Sequence, residues 1–193
     1  MKRFSIASLG AIAVIASQTF VGVPLLESMR EAGAAYAQNV QSQTQQQSQV
    51  QLNLGAAKKV VQKDRQGKEQ VNWQTLKGSA VVQPGDVIRY TVSGKNNSDR
   101  AVKNLVVTQP IPKQTTYLLN SVSAQNNGAK ITYSIDNGKN FVEKPTVTVK
   151  LPNGKVETRP APAELYTHVR WKFEQSIAPA AAVNATYQVK IRS

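Results

Sequence analysis

A chain of 193 residues with 24 Lys and Arg against 11 Asp and Glu carries a formal charge of +13, with one histidine and no cysteine. The missing thiols exclude disulfide staples, thiolate metal sites and a cysteine nucleophile. The cationic excess favours anionic partners, and the length suffices for a hydrophobic core without covalent help.

Residues 1–37 read as an export signal. Lys2 and Arg3 give a positive start, Phe4 to Ala16 form an apolar run, and Ala35-Tyr36-Ala37 offers a small-x-small cleavage site before Gln38. The rival reading is an uncleaved anchor, because apolar residues resume from Phe20 to Leu26. Ser17, Gln18, Thr19 and Pro24 interrupt the roughly 20 apolar residues that a span requires. Cleavage removes three cations and two acids, lowers +13 to +12, and delivers Gln38 to Ser193 to the periplasm, cell surface or medium. Residues 38–49, "QNVQSQTQQQSQ", offer little apolar surface to offset the entropy of ordering. They read either as a flexible linker or as a segment without a role, ahead of a domain over 50–193.

From Val50 the hydrophobic period is two. Val50, Leu52 and Leu54 alternate with polar residues, as do Ile88, Tyr90 and Val92. Ala101, Lys103, Leu105 and Val107 share one parity, followed by Ile131, Tyr133 and Ile135, then Val147, Val149 and Leu151. Val169, Trp171 and Phe173, and then Ala185, Tyr187, Val189 and Ile191, complete at least seven short strands that bury one face each. The polar stretch from Gln62 to Ala80 is either a long first loop or an extra hairpin through Val71 and Trp73.

Turn chemistry separates these runs. Pro84-Gly85-Asp86, Asn96-Asn97-Ser98-Asp99, Asn126-Asn127-Gly128, Asp136-Asn137-Gly138 and Pro152-Asn153-Gly154 all mark reversals. No amphipathic helix is evident. The pattern predicts an all-β antiparallel sandwich or barrel, and favours an immunoglobulin-like β-sandwich of about seven or more strands. Trp171 and Tyr90 are its core candidates.

The segment around Leu54, Lys58 and Lys59, then "VQPGDVIRYTVSGKN" and "AVKNLVVTQPIPKQTTY", resembles the bacterial surface-protein repeat family known as domain of unknown function eleven. Pro84, Gly85, Asp86, Tyr90, Thr91 and Asn96 fit its first element, and Ile111, Pro112 and Tyr117 its second. Gln109 stands where that family usually has Asp, and Pro110 is added. The resemblance covers Leu52 to Tyr117, and more loosely the rest. It implies an immunoglobulin-like domain of cell-envelope proteins, a spacer or adhesive module without enzymatic activity.

The remaining motifs carry less chemistry. "SIDNGKNF", Ser134 to Phe141, matches the Ser-x-Asp-x-Gly-x-x-aromatic box of sialidase blades, but one copy cannot specify a propeller, so Asp136 is assigned to a β-turn. His168 lies on the polar parity of its strand beside Arg170 and reads as solvent-facing. A lone histidine without cysteine gives a zinc site little support. The acids are dispersed, and neither a Gly-x-Ser-x-Gly elbow nor a phosphate or dinucleotide loop occurs. "LPNGK" at Leu151 lacks the Thr of a sortase signal.

The expected function is therefore non-enzymatic: an exported envelope or secreted domain with a structural or adhesive role, without cofactor or metal. The alternative is a binding module for anionic envelope polymer. Its candidate contacts are Lys95, Arg100, Lys103, Lys150, Lys155 and Arg159, although scattered lysines equally serve solubility and blunt sheet edges. Expected partners are an anionic polysaccharide or another envelope protein. Specific nucleic-acid binding is not expected, and membrane contact only through an uncleaved N-terminal segment.

Overall fold

Alternation of apolar and polar residues becomes alternation of buried and exposed side chains when strands pair, and the computed structural model is built on that rule. It describes residues 13–15, 50–78, 80–125 and 128–193. The export signal over 1–37, its cleavage site and the linker over 38–49 lie outside the described residues, apart from Ala13–Ile15.

Twelve strands are described: β1 (Ala13–Ile15), β2 (Val50–Lys63), β3 (Glu69–Leu76), β4 (Val87–Asn96), β5 (Val106–Pro110), β6 (Thr115–Tyr117), β7 (Ser123–Gln125), β8 (Ala129–Ser134), β9 (Thr146–Lys150), β10 (Val156–Pro160), β11 (His168–Phe173) and β12 (Ala182–Ile191). Among the described residues a single 3-10 turn spans Ala163–Leu165. One sheet has the order β1-β5-β11-β8; the larger has β3-β2-β4-β12-β6, with β7 also on β12; β9 and β10 pair only with each other. Every pairing is antiparallel. The expected all-β antiparallel arrangement is the one observed.

The two large sheets share one core. Ile88, Tyr90 and Val92 of β4 and Val183, Ala185, Tyr187 and Val189 of β12 point inward from one sheet, and Val107, Val169, Trp171 and Phe173 from the other. Tyr90 and Tyr187 are register partners whose rings stack at 5.2 Å, and Trp171 meets Tyr187 across the sandwich at 6.0 Å. Each Val, Ile or Phe buried in this way contributes roughly 1.5–3 kcal/mol. Every described core member lies between Val50 and Ile191.

Two small features fix the packing. Gly94 stands on the inward parity of β4, where a Cβ would come within 2.9 Å of Leu52 Cδ2 and 3.2 Å of Val183 Cγ2. Asn96, fully buried at the end of β4, donates through Nδ2 to the carbonyls of Arg100 (2.7 Å), Ile177 (3.0 Å) and Ala178 (3.2 Å). It thereby clamps the loop after β4 to the segment between β11 and β12.

One expectation needs correction, and one open alternative is decided. The shared parity of Ala101, Lys103, Leu105 and Val107 fails. Val102 is the buried residue, bridged to Ile177, while Ala101 and Lys103 are exposed. Asn104 takes a left-handed conformation with φ 54°, which resets the alternation so that Leu105 and Val107 both face inward. The stretch from Gln62 resolves as the hairpin alternative, because β2 continues to Lys63 and the chain returns along β3.

Candidate functional site

Two β-ribbons leave the sandwich. In the first, pairing of β2 with β4 stops at Lys58↔Ile88, but pairing with β3 continues from Lys59↔Trp73 to Lys63↔Glu69. Five residue pairs thus project about 16 Å beyond the sheet. Asp64 closes the tip, accepting the backbone N–H groups of Gln66 and Lys68 at 2.9 Å each, and Gly67 supplies the left-handed residue with φ 79°. These bonds hold the Asp64 carboxyl below its usual pKa, the Lys68 N–H having the largest effect.

Facing partners share a side of a ribbon, so the pairs Lys59–Trp73, Val61–Val71 and Lys63–Glu69 line one face. Arg89 joins them, its guanidinium 4.2 Å from the centre of the Trp73 ring. The other face carries Val60, Gln62, Gln70, Asn72 and Gln74, with Lys58 at its base bound to Asp86 at 2.7 Å. Val61 and Val71 are 48% and 49% exposed.

The second ribbon, β9 with β10, hydrogen-bonds to no other described strand. Leu151 and Lys155 close its turn, with Gly154 N–H donating to Leu151 O at 2.9 Å, and Ala161 N–H to Pro145 O ties its base. All of β10 is exposed, Val156 to 65%. Arg159 is held by Glu157 at 2.7 Å.

The six candidate cations fall into two groups. Lys150, Lys155 and Arg159 belong to the second ribbon or its turn. Lys95, the penultimate residue of β4, pairs with Ala182, and Arg100 and Lys103 lie in the following loop. That loop leads to Leu105, whose carbonyl accepts from Phe173 at the far end of β11, whereas the second ribbon joins the chain after Ser134, opposite His168 at the near end. The two groups are thus carried by segments that attach near opposite ends of β11. Sequence reasoning missed Lys59, Lys63, Arg65, Lys68, Trp73 and Arg89. The alternation of Lys59, Val61 and Lys63 opposite Trp73 and Val71 was the available signal.

The box around Asp136 is a turn. Asp136 Oδ1 accepts from Ser134 Oγ (2.7 Å) and Asn140 N (2.9 Å), and Oδ2 from Asn140 Nδ2 (2.7 Å). These bonds, Asn140 N–H first, lower its pKa to about 2. His168 does sit on the outward parity, yet it is half-buried beside Gly138 and edge-on to Phe141. Burial first, then Arg170, lowers its pKa. Arg170 lies 3.4 Å over the Phe141 ring and donates to Thr108 Oγ1. Among the described residues no group of three or more His, Asp or Glu side chains is placed to hold a metal ion, and no helix is long and apolar enough to cross a membrane.

No protein-family model, no curated protein and no solved structure matches this chain.

Proposed function

We propose that this is an exported, non-enzymatic β-sandwich domain with a structural or adhesive role, working by surface contact, and that its two ribbons make the contact. The carrying observation is that ribbons outside the core turn Val61, Val71 and Val156 to solvent. A two-stranded ribbon in water is marginally stable by itself, and apolar side chains on it gain from burial against a partner. The signal-like residues 1–37 support export, and the resemblance to envelope repeat domains supports a partner there, an anionic polysaccharide or another envelope protein.

The alternative, a module gripping anionic polymer through its basic surface, is favoured by the cations on and beside both ribbons. The Lys95 group and the Lys150 group are carried by segments that attach near opposite ends of β11.

The test is co-sedimentation of residues 38–193 with washed bacterial envelope fragments. It is repeated after residues 59–73 are replaced by Asn-Gly, and separately after the second ribbon is shortened to its base. The expected result is loss of sedimentation in a shortened variant that keeps the parent melting temperature. Equal sedimentation of the parent and both variants would refute the role of the ribbons.

A further inference from the structure

We infer that the outer face of the first ribbon docks on an anionic phospholipid surface. The inference rests on the surface-contact reading and names the partner of that ribbon. Three observations carry it.

The first is the composition of the two faces. One carries Trp73 and the paired Val61 and Val71, flanked by Lys59, Lys63 and Arg89, with Arg65 and Lys68 at the tip. The other is made mainly of neutral amides. Glu69 is the sole acid on the first face, and Asp64 is engaged by backbone N–H groups in the turn. An apolar centre ringed by cations matches the boundary between phosphate headgroups and acyl chains, where a Trp ring places its apolar body inward and its N–H at the wet edge.

The second is size. A ribbon face of five pairs and two strands offers on the order of 160 Å² of footprint, whereas a stable protein interface buries about 800 Å² per partner. A lipid surface sets no such minimum, because cations near an anionic leaflet each add about 1 kcal/mol, roughly five-fold in affinity. The third is charge: a chain of +13 repels a second copy of itself and is drawn to an anionic surface.

The protein contains its own reporter. Of its two tryptophans, Trp171 is fully buried, so any change in emission on docking comes from Trp73. Residues 38–193, which keep every described core residue, are titrated with vesicles of phosphatidylglycerol and phosphatidylcholine, and with phosphatidylcholine alone. The expected result is a blue shift, and quenching by brominated acyl chains, with the anionic vesicles only. Trp73→Phe abolishes that signal while binding by sedimentation persists. Lys59→Gln with Lys63→Gln weakens binding about 30-fold, five-fold for each cation compounded. Val61→Ser with Val71→Ser removes most of the blue shift.

Failure to bind anionic vesicles would overturn the inference. So would binding that leaves Trp73 emission unmoved, or soluble polyphosphate binding as tightly as the vesicles, which marks a polyanion site instead. A negative vesicle result with envelope sedimentation still dependent on residues 59–73 refutes the lipid inference alone. Loss of both dependences, with sedimentation also unchanged when the second ribbon is shortened, refutes the surface-contact reading as well.

Discussion

Asn96→Asp changes one group at a fully buried position and converts a neutral clamp into a pH-dependent one. Asn96 Nδ2 faces three carbonyl oxygens within 3.2 Å, while Oδ1 accepts Ser98 N (3.0 Å) and Ser98 Oγ (2.7 Å). An aspartate keeps the Ser98 bonds but sets an oxygen against the carbonyls. As an acid it restores one of the two N–H donations, so below the unfolded carboxyl pKa of about 3.9 the loss is about 1–3 kcal/mol, that of an unmet buried hydrogen bond. Above that pH the carbonyls oppose ionisation and raise the folded pKa. Stability then falls with rising pH by up to about 1.4 kcal/mol per unit until the folded pKa is passed, where it levels off. At pH 7 the full loss is roughly 3–6 kcal/mol, a large part of the 5–15 kcal/mol typical of a domain. Denaturant midpoints of parent and variant between pH 4 and 8 measure it. A difference between the two curves that stays constant over that range, or a loss under about 1 kcal/mol at pH 7, would refute the reasoning.

Gly94→Ala drives a methyl group into Leu52 and Val183 and is expected to destabilise by about 1–3 kcal/mol in denaturant unfolding; an unchanged midpoint would mean that the strands part freely there. Gln109 is fully buried, and neither end of its carboxamide has a hydrogen-bond partner among the described residues, although it lies close enough to influence the Tyr187 hydroxyl, which donates to Pro110 O at 3.2 Å. Gln109→Met therefore relieves an unmet polar group and is expected to raise stability by about 1 kcal/mol or more, whereas a comparable loss would reveal internal water serving the amide. Asp136 has its folded pKa lowered to about 2, so the stability it contributes is present above the usual carboxyl value near 3.8 and is lost as pH falls from there through about 2. Asp136→Asn should flatten the acid limb of the stability curve in that window; an unchanged limb would count against the turn bonds.

Much of the fold was legible because burial here follows period two. Ile88, Tyr90 and Val92, and likewise Val169, Trp171 and Phe173, occupy the inward positions that alternation assigned them. The Asp136 turn was legible from its short-range chemistry. Alternation cannot see a residue such as Asn104, whose positive φ shifts the parity of Leu105 and its successors. Nor can it see Asn96, a polar residue that belongs to the core because distant carbonyls converge on it. The ribbons were legible only in part, as a hairpin alternative through Val71 and Trp73 and a strand through Val147 and Val149, because alternation does not tell a strand that pairs within a sheet from one that projects beyond it. Which basic loops meet depends on strand order, a long-range property, and it attaches the loop after Lys95 and the ribbon of Lys150 near opposite ends of β11.

The central place of β12 has a kinetic consequence. This strand, the latest in the described chain, pairs with β4 some 90 residues earlier in sequence and also holds β6 and β7. Until Ala182–Ile191 is made, β4 lacks one neighbour, the short strands β6 and β7 lack their only described partner, and Tyr187 is missing from the core. Closing so large a loop precedes the contacts that reward it, which makes such pairings slow to form. A chain of this design stays without its finished sandwich until β12 is in place, so its last described strand completes the fold rather than extending it.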